Sequence, residues 1–302
     1  MYGKLVKDGS YMSHTYQITT ELGSGGGGAV YKAWHKRLRK HVVIKASNNS
    51  IVGTLEARRN EVEALKNVKN MHIPQVLDYL SEEHHSFTIM EYINGDSFDK
   101  LLKLGNRFPE TQVIKWYFQL ASALNSIHKH DVYHRDIKPA NIIRMTNGDV
   151  CLIDFNSALV IGNNTGMVNR SMGYASPEQY EYFKLCRSIH SIKNVTYSVC
   201  SNTPQSLNDN TTVLVSGTSP QYRVSITNID WKLSDIYSLG ATMYHFLTGK
   251  RPPKTADDVA NIPNLKGYSG ELLKIIEKSM RTNPGDRFST ANELAQAIIS
   301  VV

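Results

Sequence analysis

The sequence predicts an α+β chain in two lobes: a small antiparallel β-sheet lobe with one helix over residues 1–93, and a larger, mainly helical lobe over 94–302. Three observations predict it. The 302 residues, 41% hydrophobic and 20% charged, suffice for two lobes around a real core. Residues 16–93 carry short β-rich runs broken by turn residues, with a single stretch of helical period. From 94 onward the apolar residues recur at the three- and four-residue spacing of helices.

Taken in order, Tyr16 to Leu22 reads as a strand, and a glycine run follows. Ala29 to Trp34 and His41 to Lys45 are β-rich, and the basic run His35 to His41 between them reads as a solvated turn. Glu56 to Val68 is helical, because Leu55, Val62, Leu65 and Val68 recur along one face. Val76 to Leu80 and Ser86 to Tyr92 return to strand, with His84-His85 at a hairpin tip. Pro109-Glu110 opens a long helix, since proline is tolerated in a first turn and glutamate complements the helix dipole. Val113, Ile114, Tyr117, Leu120, Ala121, Leu124 and Ile127 give its apolar face. Further helices are expected at Leu233–Thr248, Glu271–Arg281 and Thr290–Val302, the last opened by the capping-box spacing of Thr290 and Glu293. Residues about 183–230 depart from this pattern, being rich in Ser, Thr and Asn with almost no helical period. Within them 195–199, 213–215 and 222–226 alternate like short strands, with a turn at 216–220, so this polar insert is either a small hairpin-bearing unit or a loop.

The residues that carry chemistry concentrate in His134-Arg135-Asp136-Ile137-Lys138-Pro139-Ala140-Asn141. Asp136 can accept the proton of an incoming alcohol, and Lys138 can neutralise charge building on a moving phosphoryl group. The Asn141 amide oxygen can hold a divalent metal, and Asp154 offers a second carboxylate for metal. This set suits moving the terminal phosphoryl group of ATP onto a hydroxyl, where catalysis is mostly positioning and charge neutralisation. Leu22-Gly23-Ser24-Gly25-Gly26-Gly27-Gly28-Ala29-Val30 contains G-x-G-x-x-G-x-V between two strands. Glycines let backbone amides approach phosphates, and Val30 can cover one face of a flat base. A dinucleotide site would want a helix straight after the glycines, and here a strand follows. Lys45 ends the apolar run Val42-Val43-Ile44 and needs a partner if it points inward. Glu61 is that candidate rather than Glu63, because Leu65 lies one helical turn beyond Glu61 and shares its inward face.

In this order the pieces resemble a protein Ser/Thr kinase of the bacterial eukaryotic-like type, from about Tyr16 to the C-terminus. They continue through Asp154-Phe155, Ser176-Pro177-Glu178, Ser234-Asp235-Ile236-Tyr237-Ser238-Leu239-Gly240 and Asp286-Arg287-Phe288. The resemblance implies the two-lobed protein-kinase fold, with ATP and Mg²⁺ (or Mn²⁺) as cofactors and the Ser/Thr hydroxyl of a protein as acceptor, autophosphorylation included. It makes Asp136 the catalytic base and Lys138 the residue that steadies the phosphoryl group and marks Ser/Thr rather than Tyr specificity. Lys45 paired with Glu61 reaches the α- and β-phosphates, and Asn141 and Asp154 hold two metal ions. Around the nucleotide it places Leu22, Gly23, Gly25, Gly28, Val30 and Val43, with Met90 as gatekeeper, the backbone of Glu91 and Ile93 at the adenine edge and Ile143 beneath the ring. Phe155, His134 and Leu65 stack in the active state, Asp235 braces the catalytic loop and Glu178 pairs with Arg287. Arg135 is expected to meet a phosphorylated activation segment, with Thr165 the candidate site, while Ser171 matches a Thr that contacts the catalytic Asp.

Three departures stand out. The family's Asp-Phe-Gly is Asp154-Phe155-Asn156, where glycine takes positive φ freely and Asn tolerates it for about 1 kcal/mol; an altered balance of active and inactive forms is expected. Val43 replaces the usual Ala above the adenine. Gln179 to Ser234 spans 55 positions where relatives are short, so the insert is expected to affect partner choice or self-association.

The net charge of +7 is scattered and has no interleaved aromatic platform, so it reads as solvated charge rather than a nucleic-acid surface. No apolar run reaches membrane-spanning length, and the start lacks the pattern of a signal peptide. Cys151, Cys186 and Cys200 form no ligand cluster, and Cys151 reads as a core thiol. A cytoplasmic setting is expected, for this chain or for a longer protein of which it is the kinase portion. The histidines, His128, His130 and His134 among them, lack ligand spacing for zinc. The sequons at Asn194 and Asn210 read as chance without an export signal. Two rival functions remain at this level: a nucleotide-binding pseudokinase scaffold, and a small-molecule kinase sharing the Asp-to-Asn spacing.

Overall fold

The structure is a computed structural model that describes residues 11–25, 28–48, 61–81, 85–160, 171–190, 196–199, 211–216, 222–226 and 229–301. The expectations at Gly26, Gly27, residues 56–60, His84, Thr165, Asn194, Cys200 and Asn210 lie outside them.

After a short helix α1 (Tyr11–Thr15), five antiparallel strands form one sheet: β1 (Tyr16–Gly25), β2 (Gly28–His35), β3 (Lys40–Asn48), β4 (Val76–Ser81) and β5 (His85–Glu91), in the spatial order β1-β2-β3-β5-β4. The basic run between β2 and β3 is the turn 36–39. The period-2 alternation puts Tyr31, Ala33, Val42, Ile44, Ala46, Phe87 and Ile89 on one buried face, packed with Met12 and Tyr16. Helical residues 61–65 (α2) turn Ala64 and Leu65 into a different cluster, the main core, which also holds Met90. The register pairs Val30 with Lys45 and Val43 with Met90, so the glycine hairpin, Lys45 and the β5 end share one rigid platform.

Beyond β5 the chain is mainly helical. It runs through β6 (Gly95–Ser97), α3 (Phe98–Lys103) and α4 (Glu110–His128), then through β7 (Val132–Tyr133), β8 (Ile142–Met145), β9 (Val150–Leu152) and β10 (Leu159–Val160). Next come α5 (Pro177–His190), β11 (Thr196–Val199), β12 (Thr211–Ser216), β13 (Tyr222–Ile226), α6 (Trp231–Thr248), α7 (Ala256–Ala260), α8 (Gly270–Ser279) and α9 (Ala291–Ile299). Helix α4 lays its predicted face, Val113, Ile114, Tyr117, Leu120, Ala121, Leu124 and Ile127, into the main core. Helix α6 is buried along almost its whole length, and Phe246 on it stacks on Phe98 with ring centroids 4.0 Å apart. Thr290 caps α9 by accepting from the Glu293 amide at 3.0 Å, while the Glu293 carboxylate reaches back to the Ser289 amide at 2.7 Å, one residue before the expected capping-box partner.

Two findings concern the insert, one a difference from the sequence reading and one a choice between its alternatives. Residues 183–190 are the second half of α5: Pro177 and Glu178 start a helix that Lys184, Leu185 and Arg187, good helix formers, carry on. The Ser/Thr/Asn-rich composition belongs only to the residues after it. Strands β11, β12 and β13 make a three-stranded antiparallel sheet, the hairpin-bearing alternative. Among the described residues no helix is long and apolar enough to cross a membrane.

Candidate active site

The loop between β7 and β8 carries His134 to Asn141, and its shape is imposed from below by α6. Asp235, fully buried on α6, accepts the backbone amides of His134 at 2.9 Å and Arg135 at 2.8 Å, and its carboxylate also meets His128 Nε2 at 3.1 Å. Anchored this way, Arg135 takes a left-handed backbone conformation (φ 62), uncommon for a side chain of its size and imposed by the packing around it. The loop then carries Asp136, which is buried. Its carboxylate accepts Lys138 Nζ at 2.8 Å and Asn141 Nδ2 at 3.1 Å on one oxygen, and the Ser171 hydroxyl on the other. Lys138 also donates to Ser171 Oγ at 2.9 Å. Asp136, Lys138, Asn141 and Ser171 are thus one hydrogen-bonded cluster.

The second cluster comes from three separate segments. Lys45 on β3 pairs with Glu61 on α2, and its ammonium lies 3.3 Å from Asp154 Oδ1. The Glu61 side chain is wholly buried, whereas Glu63 points out and pairs with Lys66 at 2.5 Å. A buried carboxylate is tolerated here because its partner is a cation with further anionic company. The two clusters are tied together by the Ile153 amide, which donates to the Asn141 carbonyl at 2.8 Å. His134 and Phe155 meet edge to face at 4.6 Å, with Leu65 buried in the same core.

Asp154 adopts a left-handed conformation (φ 68, ψ 74), and Phe155–Ser157 is a 3-10 turn. This corrects the sequence reading of Asn156. Asn156 has no positive φ; the unusual backbone sits two residues earlier, at the carboxylate itself, so the glycine-to-asparagine change carries no left-handed penalty here. The expected hinge cost at 156 is therefore absent.

The donor set fits a hard divalent cation. Asn141 spends its amide nitrogen on Asp136, at 2.8 Å to the carbonyl and 3.1 Å to the carboxylate, which turns its oxygen toward other partners. The Asp154 side chain remains 37% exposed. Three carboxylates (Glu61, Asp136, Asp154) face two ammonium groups (Lys45, Lys138), leaving negative charge and oxygen ligands of the kind that magnesium or manganese prefers.

Around these clusters, Val30 and Val43 are half-buried on β2 and β3, Leu22 is exposed at 50%, and Gly23 has open space around it. Gly28 has φ 146, and a Cβ there would lie 2.0 Å from the Ala46 carbonyl oxygen, so only glycine closes the hairpin onto β3. Gly25 pairs with Gly28 at the hairpin end. Met90 is buried, the Glu91 amide is taken by the Gln75 carbonyl at 2.9 Å, and Ile93 is half-buried. Ile143 follows Asn141 by two residues, half-buried on β8 opposite Cys151. Burial pushes the Cys151 thiol well above its ordinary range. A separate cavity of about 410 Å³, lined by Gly95, Lys115, Trp116 and Arg144 among others, shares none of these residues.

The protein kinase domain family matches residues 16–299 of this sequence. The chain belongs to the protein kinase family. It is 26% identical to a probable serine/threonine-protein kinase of Clostridium acetobutylicum over 97% of its own length and 41% of that protein. It is 28% identical to the serine/threonine-protein kinase PknA of Corynebacterium glutamicum over 95% of its length and 56% of that protein. With PknL of Mycobacterium tuberculosis the identity is 24%, over 94% of this chain and 65% of the relative. The chain thus spans about half the length of the first two relatives.

Several supports of the site were not visible in the sequence. Gln179, buried, donates to the Arg135 carbonyl at 2.7 Å and accepts from Ser234 Oγ at 3.2 Å. Ser176 bonds Ser234 at 2.9 Å. Arg135 Nε donates to the Ser157 carbonyl at 2.7 Å, and its guanidinium lies 5.2 Å from the Trp231 ring. Burial lowers that guanidinium to about 10, opposed by Tyr182 and Asp235, so it stays charged near neutrality. Its Nη2 has no hydrogen-bond partner among the described residues. The hydrogen-bonded partners are 22 to 58 positions apart, and no local spacing encodes them. Glu178 and Arg287 form the expected pair, bidentate at 2.7 and 2.9 Å.

Proposed function

We propose that this chain is an ATP-dependent protein serine/threonine kinase. The observation that carries the proposal is the Asp136 carboxylate, held by Lys138, Asn141 and Ser171 and facing the Lys45–Glu61–Asp154 cluster. In this reading Asp136 orients the acceptor hydroxyl and takes its proton, and Lys138 offsets charge on the phosphoryl group in flight. Lys45, fixed by Glu61, holds the inner phosphates, and Asn141 and Asp154 are the ligands for magnesium or manganese, which neutralise the triphosphate when bound. The glycine hairpin, Val30, Val43, Met90, Glu91, Ile93 and Ile143 enclose the base. The acceptor is a Ser or Thr of a protein, this chain included. The orphan Nη2 of Arg135 supports a role in receiving a phosphate on the segment that contains Thr165. The three-stranded unit after α5 is proposed as a surface for partner choice or self-association.

Intact-mass and peptide mass spectrometry after incubation with ATP and Mg²⁺ tests the reading. Phosphate on Ser or Thr is expected in the wild type and none in Asp136→Asn. Equal incorporation in both proteins, or none in either with any protein acceptor, refutes it.

A further inference from the structure

The site does not end at the Asp136 cluster. Ser171, bonded to Asp136, begins a tight turn in which Tyr174 and Ala175 donate to the Ser171 carbonyl at 3.0 and 3.1 Å. Met172 on that turn is 69% exposed, and Tyr174 is buried with its hydroxyl turned to the helical lobe. There the phenol meets His245 Nδ1 at 2.6 Å and receives Arg251 Nη1 at 3.2 Å, with the guanidinium 5.6 Å from the ring centroid. Arg251 belongs to the sequence Lys250-Arg251-Pro252-Pro253-Lys254 after α6, in which the three cationic residues are exposed and Pro252 is buried. Arg107 joins it from the other side. The α6 cap residue Gly249 is left-handed (φ 65), and a Cβ there would come within 2.5 Å of the Arg107 guanidinium carbon, so glycine at this position makes room for the arginine.

Arg107, Lys250, Arg251 and Lys254 are exposed, and none has a carboxylate partner among the described residues. Asp99, which acts on the neighbouring His245, is paired with Lys103 at 2.7 Å. Burial first, then Arg251 and Arg107, hold His245 down to about 4, which leaves it neutral at ordinary pH. An unpaired cationic rim one turn away from the residue bonded to the proposed base is a recognition surface for negative charge.

We propose that Arg107, Lys250, Arg251 and Lys254 select protein substrates bearing aspartate or glutamate within a few residues of the acceptor, because Arg251 contacts Tyr174, three residues beyond the Ser171 that bonds Asp136. The inference rests on the kinase reading above. An exposed guanidinium suits carboxylates because its planar fork can bind both oxygens at once. Partly exposed pairs of this kind contribute modestly, so a preference of about fivefold in kcat/KM per acidic residue is expected, carried by KM rather than kcat.

The test uses serine peptides that differ only in flanking residues, with glutamate, alanine or lysine two to four positions before or after the acceptor, assayed with the whole chain. The wild type is expected to prefer glutamate over alanine about fivefold and to lose most of that at high salt. Arg251→Ala is expected to bring the ratio near one, and Arg251→Glu to favour the lysine peptide. If Arg251 variants fail to fold, Lys250→Glu with Lys254→Glu is expected to lower the ratio without touching the Tyr174 contact. Equal rates for all wild-type peptides, or a glutamate preference that survives these charge reversals, overturns the proposal and leaves the kinase reading standing. Absence of transfer to any peptide and to the chain itself removes both.

Discussion

Replacing Asp235 with asparagine should separate the scaffold from the chemistry it carries. The wild-type carboxylate accepts two backbone amides of the catalytic loop, His134 at 2.9 Å and Arg135 at 2.8 Å, and neither has access to solvent. Asparagine keeps one oxygen and turns the other position into an N–H donor, which opposes one of those amides. His128 can accept from the new amide by changing tautomer, so its bond is left out of the count. What is lost is one hydrogen bond to an ionised acceptor, about 1.5–3 kcal/mol, together with an orphaned buried amide, about 1–3 kcal/mol. Because the two estimates overlap, a net loss of about 3 kcal/mol is expected. Urea denaturation followed by tryptophan fluorescence measures it, and Trp231, beside the Arg135 guanidinium, reports on the loop itself. Phosphoryl transfer should fall more than the lost stability explains, since Asp136 leaves its hydrogen-bonded position. A variant within about 0.5 kcal/mol of wild type at unchanged slope, with normal transfer, would falsify the view that Asp235 shapes the loop.

Glu61→Gln removes the charge that holds Lys45 and should lower phosphoryl transfer by about a hundredfold while circular dichroism stays unchanged; a wild-type rate refutes the pairing as functional. Glu178→Gln strips the carboxylate from an Arg287 side chain with no exposure, and should cost about 3–5 kcal/mol in urea titrations. The His245 imidazole is held to about 4 in the folded chain against 6.5 when free, so the unfolded chain binds its proton first as pH falls. Its contribution is constant above about pH 6.5 and turns increasingly destabilising down to about pH 4, and His245→Gln should flatten that part of the stability–pH curve. The Cys151 thiol should resist Ellman's reagent in the native state, with reaction appearing on unfolding.

Much of this was legible in the sequence where it is written locally. Glu61 rather than Glu63 follows from which residues share a helical face with Leu65, and the structure places the two glutamates on opposite sides accordingly. The five long strands and the α4 face were readable because periods of two and of 3.6 are each enforced by one buried side. The two-residue strands β7 and β10 were not, since so short a run has no period, and they exist because the chain pairs across the catalytic loop. The 183–190 helix was hidden by averaging composition over a mixed segment. The Asn156 expectation failed for a tertiary reason: the Lys45 pair and the Phe155 packing decide which residue of the loop takes the left-handed turn, and they choose Asp154. Gln179 and Ser234, which lie 55 positions apart, were beyond any spacing argument.

Where the missing side chain of Gly28 lets one strand's backbone rest against the Ala46 carbonyl, the start of β2 and the stretch bearing Lys45 are held as one piece. A shift of that edge would be felt at the Lys45 ammonium, and through the ammonium at Glu61. A single methyl at position 28 would press into the Ala46 carbonyl and force the backbone beside Lys45 to give way.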